Sequence, residues 1–421
     1  MKPEVNKARI SIDNILAAAE NLKGVAIRTP LMPNPILSDR FNANIMLKRE
    51  DLQVVRSYKI RGAYNKIESL SPELLTNGVA CASAGNHAQG VAFACAKKQI
   101  QGTIFMPTPT PSQKVNQVKM FGKEYVKVVL TGDTFDDAFE EASKFCQENQ
   151  VMFIPPFDDE KIIEGQATVG KEILEDSTEP IDYLILPIGG GGLASGMSSY
   201  FKTLSPSTTI IGVEPAGAPS MRASLDQGKV VILDKIDKFV DGAAVKKVGD
   251  LTFEICKELL DDVITVPEGL VCGEILRLYN EQAIVVEPAG ALAITALEIL
   301  KDKIKGKNVV CVVSGSNNDI TRTMEIKERS MLYEGLKHYF IVNFPQRAGA
   351  LREFLIDVLG PDDDISHFEY SKKNARDRGP ALIGIELKRK EDLQPLMDRM
   401  GRKNITFEYV NDQPQFFHYL L

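Results

Sequence analysis

A chain of 421 residues is too long for one ordinary domain and predicts two or three. Its formal charge of −7 leaves no basic surplus to neutralise phosphates, which excludes non-specific nucleic-acid binding. An apolar share of 44% is ample for packed cores, yet no apolar run reaches membrane-spanning length and the first residues carry no signal-like segment, so no membrane partner and a cytoplasmic location are expected.

In chain order, Ser11 to Leu22 predicts a helix, with Ser11 as N-cap and Gly24 just past its end. Ile45 to Lys48 and Val79 to Ala82 predict strands, and Asn86 to Lys98 a helix. Thr103 to Met106 follows as a strand, Pro107, Pro109 and Pro111 break the chain, and a helix restarts near Ser112. Tyr125 to Leu130 predicts a strand and Thr134 to Glu148 an acidic-faced helix. Ile181 to Ile188, Thr209 to Val213 and Asn308 to Val313 are continuous apolar strands. Strands that do not alternate, each followed by a helix, predict parallel sheets covered on both faces, hence an α/β catalytic part.

The pattern changes after Arg322. Glu325 to Leu336 is a charged helical stretch that can connect domains. Tyr339 to Phe344 then predicts a strand, Pro345 to Gly349 a turn, and Ala350 to Leu359 a helix. Ile365 to Tyr370 and Ala381 to Leu387 predict strands, Leu393 to Met400 a helix and Ile405 to Val410 a strand. That βαββαβ order predicts a ferredoxin-like domain. The expected organisation is a catalytic domain of two α/β subdomains over 1–324, a helical connector over 325–337, a small C-terminal domain over 338–413 and a tail over 414–421.

The six cysteines form no Cys-x-x-Cys pair and the four histidines are scattered, which predicts buried thiols and no metal centre. Four strings carry chemistry instead. Ser57-Tyr58-Lys59-Ile60-Arg61-Gly62-Ala63 offers a lysine beside other cations, a setting that favours an unprotonated, nucleophilic amine. Alone, Lys59 is better explained by a solvated face, and the other three strings tip the balance. Gly189-Gly190-Gly191-Gly192-Leu193 follows a strand and precedes a helix, so successive amides can turn toward one anion at a helix N-terminus. Its spacing is not the Gly-x-Gly-x-x-Gly of dinucleotide sites. Ser83-Ala84-Gly85-Asn86-His87 lies at a strand-to-helix junction, where Ser83 and Asn86 either cap the helix or hold a substrate carboxylate. Ser314, in Ser314-Gly315-Ser316-Asn317, ends a strand where parallel sheets place ligands. A nucleophilic lysine and a phosphate cradle together match the needs of pyridoxal 5'-phosphate.

These strings resemble those of the threonine dehydratase (threonine ammonia-lyase) family over about residues 8 to 330, and Phe239-Val240-Asp241-Gly242-Ala243-Ala244-Val245 and Val286-Glu287-Pro288-Ala289-Gly290-Ala291 add to the likeness. The resemblance implies the tryptophan-synthase-β-like fold, fold type II. It implies deamination of L-threonine to 2-oxobutanoate and ammonia, the first committed step of isoleucine synthesis, and a homodimer or homotetramer. Lys59 is then the catalytic, cofactor-holding lysine. Asn86 contacts the ring hydroxyl, Gly189, Gly190, Gly191, Gly192 and Leu193 hold the phosphate, and Ser314 faces the ring nitrogen. Ser83 and Asn86 bind substrate. Tyr58 stands where the family has phenylalanine. Ala84 stands where serine racemase has its second, opposite-face base, and Ser220 where relatives have an acidic metal ligand after a Val/Ala-Glu-Pro string, so neither racemisation nor a metal at Glu214 is expected. The C-terminal domain resembles the family's ACT-like regulatory domain, present once, which implies isoleucine and valine as effectors; building a subunit interface is its other reading. A non-enzymatic amino-acid sensor and a nicotinamide-dependent dehydrogenase are the remaining alternatives.

Overall fold

In the computed structural model, which describes residues 9–370 and 377–413, the chain divides into two compact units, Met1–Asp319 and Ile320–Leu421. The strands of the first are β1 (Leu31–Pro33), β2 (Asn44–Arg49), β3 (Val79–Ala82), β4 (Gly102–Met106), β5 (Val126–Leu130), β6 (Met152–Phe153), β7 (Tyr183–Pro187), β8 (Thr209–Pro215), β9 (Asp262–Val266) and β10 (Asn308–Val313). They build two sheets. One is four-stranded, β5-β4-β3-β6, and wholly parallel. The other is six-stranded, β1-β2-β10-β7-β8-β9, and parallel except where β1 meets β2. Central strands are buried almost throughout, as their unbroken Val, Ile and Leu runs require when helices cover both faces.

Three helices set the position of Lys59. It is the first residue of the helix Lys59–Glu68, which packs on Asn86–Lys98 and on Glu160–Asp176. The approach is close enough that a Cβ on Gly90 would lie 3.1 Å from the carbonyl carbon and oxygen of Lys59. A side chain at 90 would require the lysine's own backbone to yield by a few tenths of an ångström.

The second unit is a sheet of β11 (Lys337–Pro345), β12 (Asp364–Tyr370), β13 (Arg378–Glu386) and β14 (Thr406–Tyr409), antiparallel in the order β12-β13-β11-β14. Phe340, Val342, Phe344, Ile383 and Ile385 pack against Phe354, Leu396 and Met400 of the helices Ala350–Asp357 and Leu393–Arg402. This is the expected βαββαβ arrangement. The charged stretch expected as a connector forms the helix Thr323–Glu334 inside this unit, where Glu328 accepts from the Tyr339 hydroxyl at 2.6 Å and from Lys337 Nζ. The expected tail, residues 414–421, lies outside the described residues.

All six cysteines are free, and all but Cys146 are buried. Glu214 is buried and accepts from the amides of Met221 (2.7 Å) and Arg222 (2.8 Å), which caps the helix Ser220–Gln227. Among the described residues no helix is long and apolar enough to cross a membrane, and no group of three or more His, Cys, Asp and Glu side chains is placed to hold a metal ion.

Candidate active site

Lys59 leaves its loop partly buried, and Nζ donates to the Pro156 carbonyl at 2.8 Å, 5.5 Å from the Tyr58 ring centroid. Burial pulls its ammonium down from 10.5 to about 8, against the opposing pull of the Glu287 charge. The amine is thus unprotonated in an appreciable fraction near neutral pH. An amine-directed acylating reagent should modify Lys59 at a rate that climbs with pH to about 8 and then levels. Peptide mass spectrometry reads this; a climb continuing toward 10.5 would contradict the buried setting.

The backbone just before Lys59 pairs with the loop after β10. Tyr58 N donates to Ser314 O (3.2 Å), Ser316 N to Arg56 O (2.9 Å), and Ser57 bridges Gly315. Ser314, 2% exposed, is thereby held beside the lysine's loop. Asn86, first residue of its helix, joins the same cluster. Its Nδ2 donates to Glu287 Oε1 at 2.7 Å and its Oδ1 accepts from Asn317 Nδ2 at 2.6 Å, leaving one Asn86 N–H for a further acceptor. Glu287 is 4% exposed, and burial together with the Asp241 charge pushes its carboxyl up to about 7. Ser83 Oγ is engaged within its own turn, accepting from Gly85 N at 3.2 Å, and is joined to the cluster through the chain to Asn86.

His87 is buried, with burial and the Lys59 charge pulling its imidazole down to about 3. It is neutral, and Nε2 donates to the Ile154 carbonyl at 2.9 Å. It anchors the chain that leads to Pro156.

The glycine loop joins β7 to the helix Gly192–Leu204. Gly191, its N-cap, has φ 95°, a left-handed conformation that glycine adopts without penalty. Thr252 Oγ1 donates to Gly190 O at 2.6 Å, while among the described residues the amides from Gly189 to Leu193 have no internal acceptor. Five unpaired N–H groups at the positive end of a 13-residue helix are a donor set for an anion. Gly189 lies against Ala243, and Gly242 against Ala289 and Glu287, so all the strings singled out in the sequence converge on one region.

Two contributors had no signal of their own. Pro156 acts through a main-chain carbonyl, which no residue type announces. Phe157 sits on the glycine loop from a segment with no regular structure. Glu287 stood inside a noted string, but its bond to Asn86 depends on tertiary placement. The donor set fits pyridoxal 5'-phosphate: free amides at a helix end for the phosphate, a partly neutral amine for the aldehyde, an amide N–H for the ring hydroxyl, and a neutral hydroxyl for the ring nitrogen.

A family model described as pyridoxal-phosphate dependent enzyme matches residues 22–315, and one described as the C-terminal regulatory domain of threonine dehydratase matches residues 328–420. The chain is 60% identical over 413 residues to the biosynthetic L-threonine dehydratase of Halalkalibacterium halodurans, covering 98% of this chain and 100% of that one. Among solved structures it is similar to the processed form of threonine deaminase isoform 2 from Solanum lycopersicum, with TM-score 0.72 and 41% identity over 76% of this chain and 90% of that one. It is also similar to maize serine racemase, with TM-score 0.71 and 30% identity over 77% and 99%.

Proposed function

The chain belongs to the pyridoxal-phosphate-dependent threonine dehydratase family, and from that premise we propose how its own residues deaminate L-threonine to 2-oxobutanoate and ammonia, the first committed step of isoleucine synthesis. Pyridoxal 5'-phosphate, when bound, supplies an aldehyde that condenses with amines and a ring that draws electron density from the substrate's α-carbon. The amides of Gly189, Gly190, Gly191, Gly192 and Leu193 would hold its phosphate. The free N–H of Asn86 would donate to the ring hydroxyl, and Ser314 would offer the ring nitrogen a neutral hydroxyl that imposes no proton there. Lys59 Nζ would hold the cofactor's aldehyde, and as a free amine lowered to about 8 it is suited to take the substrate's α-proton. Ser83 and the backbone N–H of Asn86 would orient the substrate carboxylate.

The observation that carries this reading is the Lys59 amine, its ammonium lowered by burial, in the same cluster as the unpaired glycine amides. Likeness to serine racemase does not favour racemisation, because Ala84 offers no base on the opposite face. We further propose that the second unit binds isoleucine, with valine opposing it, in a cytoplasmic homodimer or homotetramer. The Pro345–Gly349 turn leads into a helix whose N-cap, Gly349, has φ 85°, and such an end suits an amino-acid carboxylate. Keto-acid release from L-threonine, with and without L-isoleucine, tests both parts. Release that falls with isoleucine is expected. Release indifferent to isoleucine would remove the effector reading alone, and D-serine production from L-serine without keto acid would overturn the lyase.

A further inference from the structure

The segment Ile154–Asp158 touches both halves of the site. Its start is fixed by Ile154 N donating to Ala80 O (2.8 Å) and by His87 at the Ile154 carbonyl. Pro156 O then receives Lys59 Nζ. Its end is fixed by the Asp158 carboxylate, which accepts from the amides of Asp250 (3.0 Å), Leu251 (3.0 Å) and Thr252 (3.2 Å). Between these anchors, Phe157 lies against the glycine loop. A Cβ on Gly190 would come 2.1 Å from Phe157 Cδ1, and one on Gly192 3.1 Å from Phe157 Cβ.

Glycines in such a loop are ordinarily explained by the close approach of the phosphate. At Gly190 the direction a side chain would take is already filled by an aromatic ring, so the missing Cβ makes room for protein. Gly190 is gripped twice, by Phe157 beside its Cα and by Thr252 Oγ1 at its carbonyl, and Thr252 also donates its amide to Asp158. One short segment thus sets both the loop's path and the resting place of the Lys59 amine.

We propose that Phe157 is a positioning residue for the cofactor's phosphate, and that position 190 is glycine to admit the Phe157 ring. The inference rests on the reading that this loop takes the phosphate. Its test is a double-substitution cycle on the full-length chain freed of cofactor, titrated with pyridoxal 5'-phosphate and separately with pyridoxal. The ratio of the two affinities isolates the phosphate's share, which a loss of general stability would not move selectively. Phe157→Ala should lower that ratio. Gly190→Ala should lower it about 10-fold or more in the parent and have little added effect on Phe157→Ala. Phe157→Leu, which keeps much of the bulk, gives the same cycle with smaller relief if the alanine variant does not fold. An equal loss from Gly190→Ala with and without Phe157 would overturn the proposal, leaving the phosphate itself as the reason for glycine. A parent chain that binds both compounds equally would instead remove the phosphate reading on which it stands.

Discussion

The Lys59→Ala protein should fold and release keto acid from L-threonine at least ~10⁴-fold more slowly than the parent. The loss is this large because one amine is given two tasks, holding the cofactor and moving the α-proton. No neighbour can take over. His87 is pulled down to about 3 by burial and the Lys59 charge, and its Nε2 is committed to the Ile154 carbonyl. Glu287 is bonded to Asn86 and belongs to a different loop. Lys59→Arg should be equally inactive, since a guanidinium stays protonated and cannot attack an aldehyde. Stability should change little. The Lys59 side chain makes one hydrogen bond, to Pro156 O, and lies outside the buried ion network of Lys48, Glu50, Arg61 and Glu172, so the cost is about 1 kcal/mol. Keto-acid assay and thermal midpoint together decide the matter. An active Lys59→Ala protein would remove the lysine from the mechanism, whereas an unfolded one would show that the amine's seat is structural.

The sequence made the sheets legible because parallel strands buried on both faces are written as unbroken apolar runs. Val79 to Ala82 and Asn308 to Val313 fall on β3 and β10 to the residue. It marked the glycine loop, Asn86 and Ser314 because each lies at a strand end or a strand-to-helix junction, where composition changes abruptly, and Lys59, which opens a helix after a loop, only through the company of those strings. The helix that carries Lys59 was not read from its pattern. Lys59–Glu68 keeps an apolar stripe at Ile60, Ala63, Tyr64 and Ile67, but it also buries Arg61 and Asn65, each 1% exposed, and polar residues that ordinarily mark a solvent face mask so short a stripe. The helix Pro288–Leu300 escaped for the opposite reason, being apolar nearly all round. Pro156 and Phe157 were hidden because their work is done by a carbonyl and by a ring packed on a glycine, and both depend on segments far apart in the chain.

Arg61→Met should destabilise the first unit by about 3–5 kcal/mol, the range for removing one partner from a buried ion pair. Arg61 is 1% exposed and spends its whole guanidinium. Nε and Nη2 donate to Glu50 at 2.9 and 2.8 Å, and Nη1 and Nη2 to Glu172 at 2.7 and 2.9 Å. Thr168 Oγ1 and the Ile27 carbonyl accept at 3.0 and 3.2 Å. Lys48 Nζ donates to Glu172 and to Thr29 O, both at 2.6 Å, so two cations balance two carboxylates. Methionine fills much of the volume but leaves Glu50 uncompensated and fully buried. Adding Glu50→Gln should recover part of the loss, because a neutral amide needs no counter-charge. Acidity supplies a second check. Burial alone would raise the Glu172 carboxyl, but Arg61 and Lys48 outweigh it and hold it below its ordinary value of 4.5. A carboxyl lowered on folding contributes stability above its unfolded pKa and loses it as pH falls through the folded one. In the variant that support is weakened while the burial cost remains, so the gap between parent and variant should narrow as pH falls below about 4.5. Urea midpoints of both cofactor-free proteins, taken near neutrality and in mild acid, measure it. A gap that stays constant with pH would mean that lost packing, and not the stranded carboxylates, sets the cost.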